Sequence, residues 1–160
     1  MKPNSSRRRF VSRTLAAGVL TSAPRAGAQP SGRIAGFDHV ALPMQNSEAM
    51  LAFYRGLGFQ VHETPGVCSV YAGPHMINFH KPELWQRASF TLRAPAAKPP
   101  CGDLCFVWEG TLESLQTMLG QAGAKVIEGP VARQGGRKQA GRSTYVRDPD
   151  GNLLEFIIYA

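Results

Sequence analysis

Glu155 stands inside the run Leu153 to Tyr159, "LLEFIIY", which otherwise reads as a buried strand. With a two-residue period, Leu154, Phe156 and Ile158 face one way, while Leu153, Glu155, Ile157 and Tyr159 face the other. The carboxylate therefore points into an apolar neighbourhood, where it is costly unless it is paired, protonated or bound to a cation. The alternative is an edge strand with Glu155 facing water. A similar question attaches to "MINFH", Met76 to His80, where the same period puts Asn78 and His80 on one face.

The elements that must hold these side chains are readable around them. Asp148-Pro149-Asp150-Gly151 is turn chemistry: Pro149 fixes φ, Gly151 accepts a positive φ, and the Asp side chains bond nearby backbone. Upstream the chain reads as a strand from Phe37 to Pro43 and a helix from Ser47 to Leu57. Asn46 or Ser47 caps that helix, Met50, Leu51, Phe53, Tyr54 and Leu57 form its apolar face, and Gly58 stops it. Strand-like pieces then run to His80. After a Pro-rich stretch the plan repeats. Asp103 to Trp108 is a strand, and Thr111 caps a helix with the stripe Leu112, Leu115, Met118, Leu119 and Ala122, stopped by Gly123. Further strands run through Tyr159. Overlaying the two halves sets Asn78 against Glu155 and His39 against Asp103. The implied organisation is two βαβββ units, about 37–82 and 103–160, joined by a linker over 83–102.

Length and composition agree with one domain, since 160 residues can bury one sizeable core and not two independent ones. The formal charge of +7 belongs to one end. Lys2, Arg7, Arg8, Arg9, Arg13 and Arg25 all precede residue 29 with no acid among them, leaving twelve bases against eleven acids in the remainder. The body therefore has no electrostatic case for nucleic acid. The basic end, "SRRRFV" followed by a mildly apolar run and Ala26-Gly27-Ala28, resembles a twin-arginine export signal over residues 1–28. Its apolar run is too short to span a membrane permanently. A mature periplasmic domain over 29–160, cleaved after Ala28, is the expectation. Cys68, Cys101 and Cys105 form no disulfide framework and read as small buried residues, with a Cys101–Cys68 pair as the alternative.

From about Phe37 onward, "DHVALPM", "FYRGLGF", "INFH", "DLCFV" and "RDPDGNLLEF" arrive in an order that resembles the vicinal oxygen chelate superfamily. That superfamily holds glyoxalases, bleomycin-resistance proteins, fosfomycin-modifying enzymes and extradiol dioxygenases, and the motifs are most similar to the glyoxalase domain-containing protein 5 type. The resemblance implies an α+β fold in which two βαβββ modules form curved mixed sheets around a cup holding a divalent metal. Carried onto this chain, its ligand positions are His39, Asp103, Glu155 and Asn78, with His80 able to reach the cup from further along its strand. Many relatives carry His where Asp103 stands, and glyoxalase-like members carry Glu where Asn78 stands. A shell of one or two His and two carboxylates suits Mn²⁺, Fe²⁺, Zn²⁺ or Ni²⁺ better than Ca²⁺.

In this scheme Glu155 is both ligand and catalytic group, while Asn78 and Arg142 contact substrate. Arg142 comes from the glycine-rich basic segment Pro130 to Ser143, with Arg133, Arg137 and Lys138. The linker's Trp85 and Phe90 are expected to cover the cup or a partner subunit. The function implied is a metal-dependent lyase, isomerase or dioxygenase acting on a small oxygen-bearing molecule. A non-catalytic small-molecule binding protein of the bleomycin-resistance type is the alternative, and a homodimer is expected in either case.

Overall fold

The computed structural model describes residues 32–160, and Gly36–Ala160 form one compact unit. The export signal and its cleavage point lie outside the described residues. Strand β1 (His39–Pro43), helix α1 (Ser47–Gly56) and strands β2 (Gln60–Glu63), β3 (Val67–Ala72) and β4 (His75–His80) make the first module. A short helix α2 (Pro82–Trp85) opens the connection. Strand β5 (Asp103–Val107), helix α3 (Leu112–Gln121) and strands β6 (Val126–Gln134), β7 (Ala140–Arg147) and β8 (Leu153–Tyr159) make the second. Each module is a four-stranded mixed sheet, ordered β1-β4-β3-β2 and β5-β8-β7-β6, with only the first pair of each parallel. The expected α+β repeat is thus observed. Among the described residues no helix is long and apolar enough to cross a membrane.

Registers make the two modules equivalent at the positions that matter. His39 pairs with Met76, two residues before Asn78, and Asp103 pairs with Leu153, two residues before Glu155. Both helices end where a glycine takes up a left-handed conformation, Gly58 at φ 85° and Gly123 at φ 66°.

The pleat then decides which faces meet. Leu42, Ile77, Phe79 and Val70 from the first sheet enter one core with Leu104, Phe106, Leu154 and Val146 from the second. Helix α1 adds Met50, Leu51 and Tyr54, helix α3 adds Leu115 and Leu119, and Phe59 meets Phe106 at 5.0 Å between ring centroids. Because alternate residues of a strand point to opposite faces, the sides carrying His39, Asn78 and His80, and Asp103 and Glu155, both turn away from this common core.

The modules are also stapled through polar groups. Asp148 is 5% exposed. Its carboxylate accepts from the backbone N–H groups of Asp150 and Asn152, from the Asn152 amide at 2.8 Å and from the Tyr54 hydroxyl of α1 at 3.1 Å. The buried Asn152 in turn accepts from the N–H groups of Cys101 and Gly102. Helix α1 is not capped by its own Asn46 or Ser47 side chain, as the sequence suggests. Asp150, from the far end of the chain, instead fixes the two residues just before the helix, accepting from the Gln45 and Asn46 N–H groups at 2.6 and 2.9 Å. A carboxylate there also meets the positive end of the helix dipole.

Two further readings need correction. Trp85 is buried within its own chain and donates its indole N–H to the Met44 carbonyl at 2.8 Å, so it is not free to cover a partner. Phe90 does pack on the first sheet, edge-on to His80 at 5.1 Å. All three cysteines are free, and only Cys68 is buried; Cys101 lies before β5, and Cys105 shares the outward face of β5 with Asp103, opposite the core-facing Leu104 and Phe106.

Candidate functional site

On the outward face of the second sheet, a cleft of about 440 Å³ is lined by Asp103, Glu155, Tyr145, Arg147, Arg133 and Glu128, among others. Pairing across the sheet explains this set. Cys105 and Tyr145 flank Glu155, and Asp103 and Arg147 flank Leu153 in the adjacent row. Glu155 is half-buried, and its Oε1 accepts from the Ser143 hydroxyl at 2.5 Å. Burial of its sulfur and then the neighbouring Glu155 charge push the Cys105 thiol up to about 12. Arg133 is fixed by four contacts: its Nε donates to the Tyr145 hydroxyl at 3.0 Å, its Nη2 to Glu128 at 2.9 Å and its Nη1 to the Ala132 carbonyl at 3.1 Å, and its guanidinium lies over the Tyr145 ring at 5.5 Å.

The first sheet offers a different half. His39 opens β1 with Nδ1 2.6 Å from Asp38 Oδ1. A carboxylate there accepts the Nδ1 proton and leaves Nε2 with a free lone pair, the arrangement a metal-ligating imidazole needs. Asn78 sits two rows along, its Oδ1 accepting from Ser69 at 3.1 Å. His80 lies two rows further and is 8% exposed. Burial, and after it the nearby His39, lower its pKa, so the neutral imidazole prevails near neutral pH.

The sequence-derived ligands therefore fall into two groups rather than one shell. His39, Asn78 and His80 share one outward face, and Asp103 and Glu155 share the other. Among the described residues no group of three or more His, Cys, Asp or Glu side chains is close enough to hold a metal ion. The donor chemistry fits a borderline divalent ion, with imidazole nitrogen on one face and carboxylate oxygen on the other, but only as two halves. Arg142 lies elsewhere. It pairs across from Ile158, on the helix side of β7, and lines a separate concavity with Leu112 and Tyr159.

Several residues escape a reading of the sequence that looks only at ligand types: Tyr145, Arg147 and Glu128 in the cleft, and Ser143 and Cys105 beside Glu155. The signal for three of them is the two-residue period of β7, which puts Ser143, Tyr145 and Arg147 on the face of Glu155 once β7 and β8 pair antiparallel. The contact between Glu155 and Cys105 yields a direct expectation. At pH 8 Cys105 alkylates slowly for an exposed thiol, and Glu155→Gln speeds the reaction because removing the negative charge lowers the thiol pKa. Peptide mapping after a timed iodoacetamide pulse reads the rate at Cys105, with unchanged labelling in Glu155→Gln as the contrary result.

Comparison with known proteins agrees with this architecture. Residues 36–156 match the family model described as the Glyoxalase/Bleomycin resistance protein/Dioxygenase superfamily. A virulence protein of Salmonella typhimurium is 33% identical over 124 residues, which span 76% of this chain and 83% of that protein. Its crystal structure superposes with a TM-score of 0.71 at 31% identity, covering 81% of this chain and 100% of that one. A glyoxalase domain-containing protein of Mycosarcoma maydis is 33% identical over 123 residues, 76% of this chain and 67% of the relative. An integron cassette protein from the mobile metagenome of V. cholerae has a TM-score of 0.70 at 29% identity, covering 81% and 98% of the two chains. The family match spans both modules and both outward faces, and the chain belongs to the glyoxalase/bleomycin resistance protein/dioxygenase superfamily.

Proposed function

We propose that the chain works as a two-fold homodimer in which the His39 face of one protomer meets the Glu155 face of its partner around a small oxygen-bearing organic molecule. The observation that carries this reading is the outward and opposite placement of two complementary half-sets, imidazoles on one sheet and carboxylates on the other. A two-fold axis that joins unlike faces of two copies makes two identical cups. His39 and Glu155, with Asp103 or His80, would hold a divalent ion in each. Such an ion, when bound, polarises substrate oxygens and stabilises an enolate or oxyanion, the chemistry of a lyase, isomerase or dioxygenase.

The chain's own groups have defined tasks in that cup. Asp38 orients the His39 ring, and Ser143 holds one oxygen of Glu155 so that the other faces outward. Burial keeps His80 unprotonated. The basic N-terminal segment supports a periplasmic setting for this work.

A metal-free binding protein is the second reading. It is favoured by the fact that Glu155 and Asn78 already have hydroxyl partners within their own chain. Elemental analysis combined with light scattering separates the two. Metal chemistry predicts about one divalent ion per chain, and a dimer held by an interface of at least ~1,000 Å² at micromolar concentration. A monomer without metal removes the proposal; a dimer that stays metal-free and still binds small molecules establishes the second reading.

A further inference from the structure

The packing of α3 on the second sheet is closed at one end and open at the other. Leu115 and Leu119 of the helix and Leu154 and Phe156 of β8 are buried, whereas Leu112, which starts the helix stripe, and Ile158, two residues beyond Phe156, are only half-buried. Their neighbours at this end, Ala140, Gly141 and Ala160, are too small to fill the gap, and a concavity of about 310 Å³ remains on the helix side. Arg142 is its one charged lining side chain among the described residues. No carboxylate of the described residues lies within 4.0 Å of that guanidinium, whereas Arg133 is paired with Glu128 and Arg147 donates to the Gly151 carbonyl. Glu113, the acid next to Leu112, is engaged at the helix start, where its own N–H and then the Thr111 hydroxyl hold its carboxyl below the ordinary range. A second guanidinium, Arg137, is held over the ring of the lining residue Tyr159 at 5.1 Å.

We infer that this concavity is a second binding site, separate from the Glu155 face, for a small monocarboxylate with an apolar tail. The head lies on the planar fork of Arg142, which can meet a carboxylate with two parallel N–H bonds. The tail enters between Leu112 and Ile158 and completes the packing that the small residues leave open. Each part strengthens the other, because an ion pair set against apolar walls is screened less than one in open water. The volume is at the small end of ligand sites, which run from roughly 300 to 1,000 Å³, so the tail is short. Arg142 pairs across from Ile158, on the face of β7 opposite to Ser143 and Tyr145, so a ligand here does not compete for the Glu155 cleft. The site needs neither a metal ion nor a partner subunit.

The test uses hexanoate, hexanamide and hexylammonium, which share one tail and differ in the charge of the head, together with acetate, which has the head alone. Each is titrated into the isotopically labelled full-length protein in excess EDTA, and backbone amide shifts are followed by NMR. Hexanoate is expected to bind with about millimolar affinity, as its size permits. It should bind at least ~10-fold more tightly than hexanamide or hexylammonium, as a charge-assisted pair requires, and at least ~10-fold more tightly than acetate. The shifts should centre on Leu112, Arg142 and Ile158 and leave Tyr145 and Glu155 unmoved. Arg142→Gln removes the preference for hexanoate over hexanamide, Arg142→Lys keeps a fraction of it, and Leu112→Ser weakens both ligands; the amide spectrum shows that each variant is folded. Equal affinity for hexanoate and hexanamide overturns the proposal, as does tighter binding of hexylammonium, an undiminished preference in Arg142→Gln, or no hexanoate binding at millimolar concentration. Shifts centred on Tyr145 and Glu155 overturn it by placing the anion in the outward cleft, and acetate bound as tightly as hexanoate reduces the site to a surface charge.

Discussion

Mixing two defective variants is expected to restore metal binding that neither keeps alone. In a homodimer of His39→Ala chains, both cups lose the imidazole; in one of Glu155→Gln chains, both lose the carboxylate. Each loses a first ligand, and metal content falls at least ~10-fold. After joint unfolding and refolding, about half of the dimers are mixed, and each mixed dimer has one cup with both lesions and one with neither. About a quarter of all cups should therefore recover. This outcome depends on the two half-sets belonging to different protomers, the arrangement proposed from their outward placement on separate sheets. Failure to recover any metal, in a sample shown by native mass spectrometry to contain mixed dimers, would mean that each cup is built within one chain.

The second large effect concerns stability. Asp148→Ala removes the acceptor of two backbone N–H groups, the Asn152 amide and the Tyr54 hydroxyl; three of these four bonds are buried and that of the Asp150 N–H is part-buried. Leaving a buried donor unsatisfied costs about 1–3 kcal/mol, so the total loss is expected at about 3–5 kcal/mol, a large part of a domain's usual 5–15 kcal/mol. Urea unfolding monitored by tryptophan fluorescence measures it. Tyr54→Phe, which removes one donor along with its need for a partner, should cost only about 1 kcal/mol. Burial raises the Asp148 pKa, against the opposing effect of its hydrogen bonds to Asn152 and Tyr54. The folded protein therefore holds this proton more tightly than the unfolded chain does. The cost of the ionised form is complete above the folded pKa and is relieved as pH falls through it toward the ordinary carboxylate value. Relative to Asp148→Asn, wild type should accordingly gain stability over that acid window. A loss below ~1 kcal/mol in Asp148→Ala would show that water replaces the carboxylate.

Much of the fold was legible because its signals are local. The turn at Asp148–Gly151, the stops at Gly58 and Gly123, and the Thr111 cap depend on a few adjacent residues; Thr111 does accept from the Ser114 N–H. Strand period put Asn78 and His80 on one face of β4 and Glu155 on the face opposite Leu154 and Phe156, but that face turns away from the core rather than into the apolar neighbourhood expected for the carboxylate. What was not legible depends on parity and on distant packing. Arg142 was chosen for its type within a basic segment, but β7 already begins at Ala140, and one residue of parity separates the helix side from the Glu155 face. The same parity gives that face to Arg147, which lies next to the turn and carries no ligand-like signal of its own. The internal repeat could pair His39 with Asp103 and Asn78 with Glu155. It contains no information on whether the two helix-bearing faces share a core, and that packing decides whether the four meet within one chain.

The carboxylate of Asp150 at the start of α1 bears on the order in which the protein can be made. Gln45 and Asn46 are synthesised more than a hundred residues before their acceptor, and Tyr54 waits almost as long for Asp148. Local contacts alone cannot finish the first module on the ribosome, since the approach to the helix and the hydroxyl of Tyr54 in its last turn gain their partners only once the turn before the last strand has emerged. Closing so long a loop is slow compared with forming either helix, so the last hairpin is expected to set the pace of folding. A nascent chain halted before residue 148 would present an unfinished α1 and an exposed hydrophobic face to chaperones and proteases.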